Sequence, residues 1–250
     1  MASLNLHCGF GFYGQPFDVA AALCQLEADV ICVQESWLPA EGCDGGPATD
    51  PLAEAAAKLG DEVLRVTMDR RQGLNLAGVP PVTEPGELAI AVLTALPVTD
   101  HQIIELRSAP GDDLARFGQV LTVELSGGSS VRVVNTHLTH RLTSPVQFLE
   151  LRQRLRADGL PTGRSPTIVA GDLNMPRPLA AISINYDATV RGKTWPASRP
   201  LIQLDHILVD QRIKVIQSQV LPSVGSDHLP IRARLGVLPA RRRQGTNGTR

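Results

Sequence analysis

Apolar and β-branched residues recur along this chain mostly in short runs of period two. The wider spacing of an amphipathic helix is rare. The runs predict strands over Ser3–His7, Val30–Gln34, Glu62–Met68, Leu88–Leu93, Val98–Leu106, Gln119–Leu125, Val131–His137, Thr167–Ala170, Leu204–Val209, Ile213–Val220 and Leu229–Leu235. Helical spacing is confined to a few segments. Asp18 is placed to cap a helix through Val19, Leu23 and Leu26, and Asp50–Leu59 is a second, Ala-rich helix. Ser144–Asp158 is the third. There Ser144 reads as the N-cap, Pro145 as the first helical residue, Gln147 as the far half of a capping box, and Gly159 as the stop. Phe148, Leu151 and Leu155 mark its inward face.

Ser126-Gly127-Gly128-Ser129 joins two alternating runs as a hairpin, whereas the helices connect others as crossovers. Antiparallel and parallel pairing together call for mixed sheets. The expected fold is α/β, with two packed sheets and helices outside. Four long connections interrupt the pattern, at Pro39–Asp50, Arg70–Gly86, Arg107–Gly118 and Met175–Gln203. Connections this long in a compact domain are usually functional or disordered. The catalytic domain is expected over 1–236, with 237–250 a basic, disordered tail carrying Arg241, Arg242, Arg243 and Arg250.

Composition narrows the function. The chain has 250 residues, 43% of them hydrophobic, and a formal net charge of −1. No global basic field draws in nucleic acid, so any affinity for anions has to be local or supplied by a bound cation. Cys8, Cys24, Cys32 and Cys43 form no C-x-x-C pair and read as reduced thiols. No run approaches the length of a membrane span, and a cytoplasmic location is expected.

The chemistry lies where strands end. Asn5 and His7 belong to the first run, Glu35 follows Val30–Gln34, and Asn135 and His137 end Val131–Val134. Asp172 and Asn174 follow Thr167–Gly171, Asp205 and His206 open Ile207–Val209, and Asp227 and His228 precede Leu229–Ile231. One such residue is ordinarily a cap or turn former. Together they crowd carboxylates, amides and imidazoles at strand ends, where loops build sites on a rigid scaffold. Phosphate-ester hydrolysis asks for this mixture. A hard cation, Mg²⁺ or Mn²⁺, prefers oxygen donors such as Glu35. A carboxylate and an amide, Asp172 and Asn174, aim a water. An imidazole held by a carboxylate, His228 by Asp205, serves as a base or stabilises developing charge, and His137 donates to a phosphoryl oxygen.

Val-Gln-Glu-Ser, Asn-Thr-His-Leu, Ala-Gly-Asp-Leu-Asn, Leu-Asp-His-Ile and Ser-Asp-His-Leu-Pro-Ile follow one another from Asn5 to Ile231. In this order and spacing they resemble the endonuclease/exonuclease/phosphatase (DNase I-like) superfamily. The resemblance implies a four-layer α/β sandwich with its site at one end. It implies metal contacts from Glu35, Asn5 and Asp227, a phosphate contact from His137, and a catalytic set of Asp172, Asn174, Asp205 and His228. His7 stands where many of these nucleases carry an acidic residue, and Gln203 where they often carry Arg. The substrate it implies is a phosphoester, with nucleic acid among the candidates. Arg116 and Trp195 are its expected contacts, Arg116 as one of several local arginines beside Arg70 and Arg71, and Trp195 as a stacking surface. The alternative is a binding module that kept the fold without catalysis.

Gly9-Phe10-Gly11-Phe12-Tyr13-Gly14 imitates a dinucleotide fingerprint. Pro16 and the Asp18 cap, however, push the helix start past the glycines, so its amides cannot reach a pyrophosphate. The motif is left without a role.

Overall fold

The computed structural model describes residues 1–40, 50–75, 79, 81–140, 142–157, 165–181 and 186–238. Twelve strands and four helices follow in the order β1 (Ala2–Asn5), α1 (Val19–Cys24), β2 (Val30–Pro39), α2 (Pro51–Leu59), β3 (Glu62–Arg71), β4 (Gly86–Thr94), β5 (Val98–Leu106), β6 (Arg116–Leu125), β7 (Ser129–Thr136), α3 (Ser144–Ala157), β8 (Thr167–Asp172), α4 (Arg177–Ala181), β9 (Tyr186–Ala188), β10 (Asp205–Asp210), β11 (Ile213–Val220) and β12 (Ile231–Val237).

The strands form two six-stranded sheets, ordered β11-β12-β1-β2-β4-β3 and β5-β6-β7-β8-β10-β9. Each sheet contains one parallel pair, β1 with β2 and β7 with β8, and its other pairings are antiparallel. The sheets are therefore mixed, as the coexistence of hairpins and crossovers predicts. Val30, Cys32, Leu121, Val123, Val133, Ile168, Ile207 and Ile231 pack between the sheets. Leu4, Leu23, Ile31, Leu52 and Leu93 join the first sheet to α1 and α2, and Val120, Phe148, Leu151, Leu155 and Leu208 join the second to α3. The result is four layers, helix–sheet–sheet–helix. Each fully buried Leu, Ile or Val contributes about 1.5–3 kcal/mol to holding them together.

Local signals explain most element ends. Asp18 accepts from Ala21 N at 2.8 Å, and Asp50 accepts from Leu52 N at 3.0 Å. Gly60, with φ 75°, closes α2 in the left-handed region. Gly127 and Gly128 take positive φ in the β6–β7 hairpin.

Several expectations are corrected. The first strand stops at Asn5, because His7 and Cys8 turn into the left-handed region at φ 45° and 56°. The last strand starts at Ile231 and runs through Val237, one residue past the expected domain edge. Gln147 does not close a capping box. Its Oε1 accepts from Thr139 N and its Nε2 donates to Arg107 O, so it ties two loops to the helix. Ser144 Oγ donates to Asn174 O, while Thr143 O receives the first helical amides. α4 and β9 lie inside the stretch read as one long loop. Gly159, Cys43 and residues 239–250 lie outside the described residues. Among the described residues, no helix is long and apolar enough to cross a membrane.

A polar bridge crosses the core beneath one end of the sandwich. Asn135 on β7 donates to Val33 O at 3.1 Å and Ala91 O at 2.9 Å on the opposite sheet, and its Oδ1 accepts from Gln34 Nε2 at 2.7 Å. The β2–β4 register shifts between Val33 and Ser36, and that bulge leaves carbonyls for Asn135 to satisfy. Asn135 thus belongs to the joint between the sheets.

Candidate active site

The two parallel pairs deliver their C-terminal ends to the same end of the sandwich. Asn5 closes β1, Glu35 lies in the β2 bulge, His137 follows β7 and Asp172 closes β8. The antiparallel strands add their N-terminal ends there, with Asp205 opening β10 and Asp227-His228 just before β12. Asn5 Nδ2 donates to Asp172 Oδ2 at 3.1 Å, joining the first sheet to the second within the site. Residues as distant in sequence as Asn5 and His228 thereby meet.

The backbone is strained here. Glu35, Asn174, His7 and Cys8 all have positive φ, at 48°, 49°, 45° and 56°. Left-handed non-glycine residues are uncommon, and they persist where the surrounding structure over-determines them. The bulge re-aims Glu35 out of the strand alternation. Asn174 reaches the site through a turn, in which its backbone amide donates to Asp172 Oδ1 at 2.9 Å. Gly171 is needed for the same approach, because a Cβ at its φ of 140° would overlap the Thr136 carbonyl.

His228 Nδ1 lies 2.8 Å from Asp205 Oδ2, both buried. On the other ring nitrogen, Nε2 lies 3.7 Å from Asp172 Oδ2 and 4.0 Å from Asp227 Oδ1. Burial alone would lower the His228 pKa. The charges of Asp205 and Asp172 outweigh it and raise the imidazole to about 10, so it is held as imidazolium. Burial pushes the Asp172 carboxyl up, to about 7, with Asp205 adding to the rise and His228 opposing it. The site therefore pairs a charged imidazole with a carboxyl poised near neutrality.

His137 behaves oppositely. Burial, followed by Arg116 and His228, holds its pKa well below the usual imidazole value, so it is neutral. Its Nε2 lies 3.2 Å from Asn174 Nδ2, 3.6 Å from Glu35 Oε1 and 3.7 Å from Asp172 Oδ2. With Asn174 as the donor, the proton of His137 sits on Nδ1.

Two expected substrate contacts are occupied otherwise. Arg116 is 2% exposed; its guanidinium is held by Asp112 at 2.9 and 3.3 Å and reaches His137 O at 3.5 Å. It stands behind the site and supports the His137 backbone. Trp195 Nε1 donates to Asp227 Oδ2 at 3.1 Å, which fixes that carboxylate. Sequence reasoning missed the Asp112 pairing, whose only signal was the i,i+4 spacing. His7, which stands where many of these nucleases carry an acidic residue, lies at the site's edge, with Nδ1 3.1 Å from Phe10 O and 3.7 Å from Asp227 Oδ1; sequence reasoning missed the left-handed turn that puts it there.

The donor set suits a hard cation. The Glu35 side chain makes no hydrogen bond among the described residues, and Asp227 Oδ1 is buried without a hydrogen-bond partner. Such orphaned carboxylate oxygens are costly unless a cation or water meets them. One or two carboxylates plus water is the ligation Mg²⁺ favours. A tighter group, Asp172, Asp205 and His228, has ligand atoms within 4.8 Å of one another. Asp205 Oδ2 and His228 Nδ1 engage each other at 2.8 Å and Asp172 Oδ2 accepts from Asn5, which suits proton handling, while Asp205 Oδ1 is buried without a hydrogen-bond partner.

No curated protein matches this chain in sequence. Solved structures share its fold. An endonuclease/exonuclease/phosphatase from Beutenbergia cavernae DSM 12333 is 22% identical, covering 96% of this chain and 71% of that one, with TM-score 0.69. A mannosyl-6-phosphatase of Bacteroides thetaiotaomicron VPI-5482 is 13% identical over 94% of this chain and 99% of that one, with TM-score 0.67. The human nocturnin catalytic domain is 18% identical over 95% and 93%, with TM-score 0.63. The family profile described as Endonuclease/Exonuclease/phosphatase matches residues 2–228, which takes in every strand end that builds the site, and the chain belongs to that family.

Proposed function

We propose that this protein is a divalent-cation-dependent phosphoesterase that cleaves its substrate by in-line attack of water on phosphorus. Members of the family are in general phosphoric ester hydrolases. The observation that carries the reading is the meeting, at one end of the sandwich, of the His228–Asp205 pair at 2.8 Å, Asp172 held by Asn5 at 3.1 Å, and His137 Nε2 3.6 Å from Glu35 Oε1.

Asp172 takes a proton from the attacking water, and its carboxyl value near neutrality suits that task. Asn5 and the Asn174 amide fix the two Asp172 oxygens, so the base points one way. His228, charged and braced by Asp205, donates toward the oxygen that gains charge. This assigns the imidazole as donor and leaves the base role to Asp172. His137 and Asn174 form a neutral wall, and an arriving phosphoryl oxygen exchanges their mutual hydrogen bond for one of its own. Glu35 and Asp227, with the Asn5 side-chain oxygen nearby, would hold Mg²⁺ or Mn²⁺. When bound, the cation supplies positive charge to the phosphoryl group. Trp195 braces Asp227 and presents its ring beside the site.

The test is a screen of bis-p-nitrophenyl phosphate, p-nitrophenyl phosphate, plasmid DNA, single-stranded RNA, inositol phosphates and sphingomyelin, with Mg²⁺ and with EDTA. Turnover should vanish in EDTA, and Asp172→Asn should lower kcat by about 10²–10⁴-fold with the fold intact. Undiminished turnover in EDTA or in Asp172→Asn would reject the mechanism. Inactivity across the whole panel would favour the non-catalytic alternative.

A further inference from the structure

The glycine-rich loop after β1 gains a role from what it holds at the site's edge. Of five Phe, two Tyr and two Trp in the chain, Phe12, Tyr13 and Trp195 stand together. Phe12 packs edge-on against Trp195 with centroids 6.3 Å apart, and against Tyr13 at 5.1 Å. Trp195 is the residue whose indole grips Asp227. A path of touching groups therefore runs from the Asp227 carboxylate outward to Tyr13.

The loop is held in place. Gly11 N donates to Gln15 O at 2.8 Å, Gly14 N to Gly11 O at 2.9 Å, and Phe10 bridges to Pro16. A Cβ on Gly11 would come within 2.7 Å of Gly225 O, and one on Gly225 would collide with the Phe17 ring. The glycines thus seat this loop directly on the segment that carries Ser226, Asp227 and His228. The second aromatic-bearing loop docks on the same segment, with Ala197 N donating to Asp227 O at 2.6 Å. Despite this anchoring, Tyr13 is 74% exposed and Phe12 37%. Tyr13 stands largely in solvent and Phe12 partly so beside Trp195, on a mounting that gives little freedom to lose on binding.

We infer that Phe12 and Tyr13 form a stacking platform for a planar base, making the preferred substrate a nucleotide-type phosphoester whose phosphate sits at Asp172 and His228. This rests on the phosphoesterase reading and names its substrate class. Flat π-faces recognise flat rings regardless of hydrogen-bonding pattern. Arg199, exposed on the Trp195 loop and without an ion pair among the described residues, adds positive charge to the loop that docks on Asp227 through Ala197.

The experiment is calorimetric titration of the full chain, with Mg²⁺ present, using AMP, ribose 5-phosphate and mannose 6-phosphate. AMP should bind about 5- to 100-fold more tightly than ribose 5-phosphate, the range for one base on an aromatic ring. Tyr13→Ala should bring AMP down to the level of ribose 5-phosphate, and Tyr13→Phe should keep the advantage, since the ring face and not the hydroxyl does the work. The exposure of Tyr13 makes both variants mild for folding, which a melting curve verifies. Equal affinity for AMP and ribose 5-phosphate in the wild type, mannose 6-phosphate binding as tightly as AMP, or an AMP advantage that survives Tyr13→Ala would each overturn the platform. If no phosphate compound binds, the site reading itself falls, and the platform with it.

Discussion

Replacing Asp205 by Asn removes a negative charge 2.8 Å from His228 Nδ1 while keeping a side-chain oxygen of similar size. Three carboxylates surround this buried imidazole, and Asp205 is the nearest of them. An opposite charge within this range shifts a pKa by about 1–3 units, each worth about 1.4 kcal/mol. His228 should therefore titrate about 1–3 units below its wild-type value of about 10, with Asp172 and Asp227 sustaining the remainder. The retained oxygen keeps the ring oriented in part, so the fold should survive. Turnover should not: a weaker and misaligned donor costs about 10²–10⁴-fold in kcat. The assay is NMR titration of the histidine ring carbons, with His228 assigned by loss of its signal in His228→Gln. In parallel, kcat is measured on whichever phosphoester the screen identifies. A wild-type His228 that titrates near 6.5, or one whose pKa is unmoved in Asp205→Asn, would refute the idea that Asp205 holds the imidazole charged.

The inter-sheet bridge and the pH response give two further tests. Asn135→Ala leaves Gln34 Nε2 with Ser3 Oγ at 3.3 Å and removes the side-chain donor from the carbonyls of Val33 and Ala91, and should cost about 1–3 kcal/mol in urea unfolding; a loss below about 0.5 kcal/mol would show the bridge to be dispensable. His206 is buried, and its Nε2 hydrogen-bonds Met175 O at 2.9 Å; burial lowers its pKa against the smaller opposing effects of that bond and Asp205. Below about pH 6.5 the unfolded chain takes a proton that folded His206 refuses, so stability falls as pH drops through that range, by up to about 1.4 kcal/mol per pH unit, and is unaffected above it. His206→Gln should flatten the profile between pH 7 and 5, and an identical slope in both proteins would contradict the assignment.

Much of the architecture was legible because strand alternation is a local signal. The runs at Val30, Leu88, Val98, Gln119, Val131 and Ile213 all lie in strands, and the hairpin glycines turn where expected. The elements that escaped are short: β9 spans three residues and α4 five, too few for any period to register. The composition of the site was legible from polar residues at strand ends, but its connections were not. The bulge that aims Glu35 leaves no mark in residue type, and Asn174 and His7 are types that tolerate the left-handed region without announcing it. Asn135 looks like a site residue in sequence and is a joint between sheets. Arg116 looks like a free cation and is spent on Asp112. Both are settled by partners distant in space that periodicity cannot name. Phe12 and Tyr13, set aside with a failed cofactor motif, regain meaning only once the loop is seen against Trp195.

The central claim is that one cation is held between Glu35 and Asp227, beside Asp172 and His228. Anomalous diffraction from crystals soaked in Mn²⁺ tests it most directly. The account predicts a Mn²⁺ peak within bonding distance of a Glu35 carboxylate oxygen and Asp227 Oδ1, abolished in Glu35→Gln. A peak enclosed by Asp172, Asp205 and His228, or no peak at this end of the sandwich, would contradict it.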